Sequence, residues 1–219
     1  MKEGKHIGHC IQNVSNGMKY DMKVKRARYI GRNNELLQEF SFAHHKTKLR
    51  VNQIFNCHFT GAPLWDMFSR DFYKIENTYN ISVRKMLNIP RESHKYFIEP
   101  LSETKHIKGV LIKRFLSFIE HLKRSPKKLA SNLLKTLKND VSSTTGSNLR
   151  NIMLIVGKTD IEDLNPLDAE KIEYCAVDDQ NQWKINVAKE LMEVKSGSLQ
   201  LDNFSFKEVE QMMSLICVS

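Results

Sequence analysis

Apolar residues recur at spacings of three and four along most of the chain, the period of a helix rather than of a strand. The clearest run is Leu64, Trp65, Phe68, Phe72, Ile75 and Tyr79, which predicts one buried helical face. Pro63 is expected to open that helix, because a first-turn N–H has no intrahelical partner. Thr60 and Gly61 precede it as turn and cap positions. The opposite face carries Arg70, Lys74 and Glu76. A second pattern, Ile81, Val83, Met86, Leu87 and Ile89, is expected to break at Ile89, where Pro90 disfavours helical geometry.

The same period predicts helices on either side. From Met18 to Phe40 the expected stripe is Met22, Ala27, Ile30, Leu37 and Phe40, with Gly31 weakening the middle. From Thr47 to about Phe59 it is Val51, Ile54, Phe55, His58 and Phe59. Ser102 is expected to cap a helix with the face Ile107, Leu111, Arg114, Phe115, Phe118, Ile119 and Leu122; the Arg114 stem can lie along it while its charge reaches water. Ser125-Pro126 predicts the start of another, with Leu129, Leu133 and Leu137 inward. Asp140–Ser147 reads as a polar loop, followed by a short helix with Leu149, Ile152, Met153 and Val156. Further on, Asn165-Pro166 opens one helix, Trp183, Val187, Leu191 and Val194 mark another, and Ser205 with Glu208 has capping-box spacing for a last one. Strand signals are confined to a brief segment near Ile7 and Ile11 and to Ser198–Asp202. The expected fold is all-α, an irregular helical bundle with a short N-terminal turn or strand segment. Its expected parts are 1–17, a basic helical region 18–157 and an acidic helical tail 158–219.

With 219 residues, of which 41% are hydrophobic, the chain has enough apolar material for a buried core. It contains no apolar run of eighteen, so no membrane span is expected. There is no N-terminal apolar signal region, so the expected location is intracellular, nuclear or cytoplasmic. Four scattered cysteines, Cys10, Cys57, Cys175 and Cys217, do not form a disulfide framework.

Charge changes the picture. Residues 1–150 carry 28 Lys and Arg against 12 Asp and Glu, whereas 151–219 carry 6 against 13. A basic field of that size attracts polyanions, nucleic acid first and an anionic membrane surface second. The clusters Lys23–Arg28 (KVKRAR) and Lys123–Lys128 (KRSPKK), with Arg84, Lys85, Arg91 and Lys95 among aromatic residues, fit phosphate neutralisation with stacking contacts. An ordinary solvated helix surface is the plainer reading of any one cluster.

Other chemistry is poorly signalled. His6, His9, Cys10, Cys57 and His58 lack the paired spacing of a zinc site. Asp178-Asp179 lacks the flanking strands that a two-metal polymerase site requires. Asp168 with Glu193 and Lys195 mimics a nuclease pattern, but on helix periods where such sites use strands. No Gly-rich phosphate loop or G-x-S-x-G nucleophile motif is present.

Ordered short segments carry a resemblance. His6-Ile7-Gly8-His9 comes first, then Lys25-Arg26-Ala27-Arg28-Tyr29-Ile30, Gln38-Glu39-Phe40, Asn56–Trp65 and Asn80–Arg84. Pro90, His94, Ile98–Ser102, Lys113-Arg114-Phe115 and Asp140–Arg150 follow. In this order they resemble the region downstream of the polymerase core in reverse transcriptases of jockey-like non-LTR retrotransposons. The resemblance implies a thumb and post-polymerase region that holds primer–template. It implies a primer-grip-like turn at Ile7, Gly8 and His9; by their charge and their place in this pattern, Lys23, Lys25, Arg26, Arg28, Arg84, Lys85, Lys113 and Arg114 are the expected nucleic-acid contacts. In the family the catalytic aspartates lie in a palm upstream of that turn. The chain is therefore expected to be inactive alone, to need no cofactor (Mg²⁺ serving only an intact polymerase), and to have nucleic acid and a missing palm as partners. The alternatives are a helical protein–protein module and an inert relic.

Overall fold

The computed structural model describes residues 3–6, 9–12, 17–57, 59–93, 95–140 and 142–172, with 185, 186 and 189. It is a helical fold, as the periodicity predicts. A short antiparallel ribbon comes first: β1 (Glu3–His6) pairs with β2 (His9–Gln12), Glu3 opposite Gln12 and His6 opposite His9. The helices are α1 (Gly17–Glu39), α2 (His45–Val51), α3 (Arg70–Leu87), α4 (Ile98–Ser102), α5 (Ile107–Arg124), α6 (Lys128–Asn139) and α7 (Thr144–Val156). A π turn, Asn52–Asn56, extends α2, and 3-10 turns lie at Ala62–Leu64, Lys95–Phe97 and Pro166–Lys171.

Residue contacts divide the chain into two compact units. Among the described residues, the first holds those up to 29, 59–77 and those from 106 to 172. The second holds 30–57, those from 78 to 105, and 185, 186 and 189. Residues 158–172, assigned from sequence to an acidic tail, cluster with the first unit. Most of that tail, including Trp183, Ser198–Asp202, Ser205 and Glu208, lies outside the described residues.

In the first unit α5 is the central element. Ile107, Leu111, Ile112, Phe115, Leu116 and Ile119 are all buried. This stripe is broader than one helical face because α5 packs against α6 and against both the Ala62–Leu64 and Pro166–Lys171 turns. Each such side chain contributes roughly 1.5–3 kcal/mol of burial. Ser102 does not cap α5. His106 does, its Nδ1 accepting the Lys108 N–H at 3.3 Å. Trp65, Met67, Phe72 and Ile75 are buried in the same core. They do not share one helix: Pro63 lies in a 3-10 turn, α3 starts only at Arg70, and Leu64 is left 41% exposed. The irregular stretch between is held by Asn148, whose Nδ2 donates to the Trp65 carbonyl and whose Oδ1 accepts the Met67 N–H at 3.0 Å. Asp140–Ser147 is partly helix already, because Ser143 Oγ accepts the Gly146 N–H at 3.1 Å and caps α7. On α6 the buried positions are Ala130 and Leu137, while Leu129 and Leu133 face outward, against expectation.

The second unit has a more polar interior. Asn56 Nδ2 donates to Asn33 Oδ1 (3.2 Å), Asn33 Nδ2 to Ser82 Oγ (3.3 Å), and Ser82 Oγ to the Thr78 carbonyl (3.0 Å). This chain of bonds tolerates Asn33, Thr78 and Ser82 among Leu36, Leu49, Val83 and Met86, because buried polar groups cost little once paired. The π turn explains a second correction. Its wider winding, closed by the Cys57 N–H on the Asn52 carbonyl at 3.1 Å, advances the helical register. Leu49, Asn52 and Cys57 point inward, and Ile54 and Phe55 are exposed. In α1, likewise, the buried positions are Asp21, Met22, Tyr29, Asn33 and Leu36, not Ala27 or Ile30. α3 ends at Leu87, where Asn88 takes φ 54° two residues ahead of Pro90.

Candidate nucleic-acid interface

The basic residues of α1 are distributed by helical rotation of about 100° per residue. Taking Met22, Tyr29, Asn33 and Leu36 as the inward side, Lys25 and Arg26 sit on its two borders and are half-buried. Lys23 and Arg28 are exposed, on opposite flanks and about 140° apart. The cluster that is compact in sequence is thus spread around the helix.

The other predicted contacts separate in the same way. Lys85 is exposed, but its neighbour Arg84 is buried, with Nε donating to the Ser93 carbonyl at 2.9 Å. Burial pushes the Arg84 guanidinium below its ordinary pKa, and Glu92 partly offsets this. Lys113 is exposed and lies 3.9 Å from Glu170, while Arg114 is half-buried. Ile7 and Gly8 lie outside the described residues, between the paired His6 and His9.

The KRSPKK cluster is partly structural. Lys123 Nζ donates to the Glu162 carbonyl (3.0 Å) and the Leu164 carbonyl (2.7 Å), and so ties α5 to the following loop. Arg124 Nη2 and Lys123 Nζ both reach the Glu120 carboxylate, at 2.9 and 3.4 Å. Burial pushes the Glu120 carboxyl up, but the hydrogen bonds from Lys123 and Arg124 outweigh it and hold the pKa below the usual carboxylate value. Lys127 and Lys128 are exposed. A cleft of about 320 Å³ is lined by Lys123 and Ser125 of this cluster together with Leu134, Lys135, Lys138 and Glu162. Lys138 there faces Asp160 at 3.2 Å.

Asp168, singled out in the nuclease-like pattern, is buried at the Pro166–Lys171 turn. Lys158 Nζ donates to it at 2.6 Å, the Asn165 N–H at 2.9 Å, and Lys171 Nζ lies 3.4 Å away. It serves as the second half of a capping box with Asn165. Among the described residues no group of three or more His, Cys, Asp or Glu is placed to hold a metal ion. Cys57 is buried, and His58, Asp178, Asp179, Glu193 and Lys195 lie outside the described residues. Among the described residues no helix is long and apolar enough to cross a membrane.

One basic surface is absent from the candidate contacts drawn from sequence. Arg70, Tyr73, Lys74 and Asn77 are exposed together on the first two turns of α3. The periodicity marks Arg70 and Lys74 as a solvent face, but it gives Tyr73 no separate signal beside the buried Phe72.

No family model matches the chain, and neither a curated protein nor a solved structure matches it.

Proposed function

We propose that the chain is a helical nucleic-acid-binding module, of the kind its segments resemble: the thumb and post-polymerase region of a jockey-like non-LTR reverse transcriptase. On this reading it binds primer–template and carries no catalytic site of its own. The observation that carries the reading is the basic excess of residues 1–150 combined with the outward placement of Lys23, Arg28 and Lys85. Arg84 is left out of the contact set, because its guanidinium is buried against the Ser93 carbonyl. Lys25, Arg26 and Arg114 remain in it as half-buried positions and Lys113 as an exposed one. Phosphate neutralisation by such residues gives affinity that is indifferent to sequence and falls steeply with salt.

Fluorescence anisotropy with a labelled RNA–DNA primer–template duplex tests this. Micromolar binding at about 50 mM salt is expected, weakening by orders of magnitude toward about 200 mM. The triple variant Lys23→Ala, Arg28→Ala, Lys85→Ala should lower the salt slope by about 2–3. Absence of binding at the lower salt overturns the reading.

A second reading, a protein–protein module, is favoured by one observation: Phe42, Leu129 and Leu154 are 87%, 79% and 72% exposed. A defined oligomer with no affinity for duplex would select it.

A further inference from the structure

The outer face of α3 carries features that a packing role leaves unused. Positions 70, 73, 74 and 77 recur at three and four, so their side chains are neighbours with Cβ atoms about 5–6 Å apart. Phe72 and Ile75, from the same turns, are 0% and 1% exposed and carry the packing. Tyr73 is 64% exposed, bordered by Arg70 one turn before it and Asn77 one turn after it. Lys74 reaches Asp71 at 2.7 Å, with its side chain still 52% exposed. The charges gather here from two helices. The hydrogen bond from Lys74 is the main reason that the Asp71 carboxyl sits below its ordinary pKa, and the charges of Lys19 on α1 and Arg70 add to the effect. Lys19 is exposed, and Lys23 follows it one turn later on α1. Lys19, Arg70 and Lys74 against the one Asp71 carboxylate leave the patch basic.

We infer that Arg70, Tyr73, Lys74 and Asn77 form a landing site for single-stranded nucleic acid, in which Tyr73 stacks on one base while Arg70 and Lys74 take the adjoining phosphates. The choice of single strand follows from the ring. An aromatic face can stack only on a base whose own face is uncovered, and in the interior of a duplex both faces are covered by neighbouring pairs. Stacking of this kind is indifferent to base identity. Asn77 can add a hydrogen bond to a base edge, and Asp71 limits the affinity by repelling the backbone. The inference rests on the proposed nucleic-acid-binding role and specifies its substrate.

The test uses the full chain, with a labelled fifteen-residue oligothymidine and a blunt duplex as separate probes. Tyr73→Ala should weaken oligothymidine binding about 5- to 150-fold and leave duplex binding unchanged. Tyr73→Phe, which keeps the ring, should stay within about threefold of the parent chain. Arg70→Ala with Lys74→Ala should lower the single-strand salt slope by about 1.4, and Asp71→Asn should raise affinity. Tyr73 is solvent-facing, so these variants keep the fold, checked by circular dichroism. If Tyr73→Ala binds oligothymidine as the parent does, or loses duplex affinity equally, the inference fails while the broader reading stands. If the parent chain binds neither probe at about 50 mM salt, both fail.

Discussion

The indole Nε1 of Trp65 donates to the carboxylate of Asp21 at 2.9 Å, and both side chains are almost fully buried. The bond pins the irregular 65–69 stretch to the start of α1 within the first unit. Asp21→Ala leaves a buried indole N–H without an acceptor and should cost about 1–3 kcal/mol. Asp21→Asn keeps an acceptor oxygen and should cost less. Urea unfolding of both variants decides the point; equal losses would mean that the carboxylate acts by charge and not as an acceptor.

Asn148 holds the same stretch from the other side. Its amide both donates to the Trp65 carbonyl and accepts the Met67 N–H. No other side chain of its size offers both functions in that geometry. Asn148→Ala should destabilise by about 2–5 kcal/mol, from two buried backbone groups left unpaired. Asn148→Asp, which can accept but not donate, should also destabilise. Thermal denaturation followed by tryptophan fluorescence reads both, and a loss below about 0.5 kcal/mol would show that water replaces the amide.

Asp168 predicts acid sensitivity. Burial pushes its carboxyl up, but the hydrogen bonds from Lys158, the Asn165 N–H and Lys171 outweigh this and hold the pKa below the ordinary aspartate value. A carboxylate with a depressed folded-state pKa stabilises the fold fully above its unfolded pKa, and this is lost as pH falls through the folded value. The parent chain should therefore lose stability below about pH 4 more steeply than Asp168→Asn. Urea midpoints across pH 2–7 measure it; parallel curves would remove Asp168 from the acid response.

Arg84 and Lys85 are adjacent and should behave oppositely. Arg84→Ala leaves the buried Ser93 carbonyl without its donor and opens a space beside α3. It should cost about 1–3 kcal/mol of stability with no change in the salt slope of nucleic-acid binding. Lys85→Ala should leave stability within about 0.5 kcal/mol and lower the slope. Denaturant unfolding and salt-titrated anisotropy on the same preparations separate the two effects.

These two residues also show what kind of error sequence reading makes here. Arg84 and Lys85 carry the same charge in the same segment, and nothing local ranks one over the other. The acceptor that turns Arg84 inward, the Ser93 carbonyl, is presented only because the chain reverses at Asn88 and Pro90. Tyr73 was missed for a related reason. The period assigns Phe72 to the buried face and leaves Tyr73 unassigned beside it, and its 64% exposure is visible only in the structure. Gly146 is a milder case. A Cβ there would collide with the Asp140 carbonyl, a constraint created by the Ser143 cap and invisible in the surrounding polar run.

The sequence by itself determined the helical character, the stop before Pro90, the start of a helical segment at Asn165-Pro166 and the separation of charge between the two ends. These depend on residues within about four positions of one another, so periodicity, proline geometry and simple counting suffice. Only the tertiary structure decided which side of each helix faces inward. Leu129 and Leu133 are at least as apolar as Ala130 and Leu137, yet the latter pair is buried, because α6 meets α5 and α7 on that side. Asn148 finds the Trp65 carbonyl across 83 residues of chain. Such choices are made by partners distant in sequence, and no local pattern encodes which partner a face will meet.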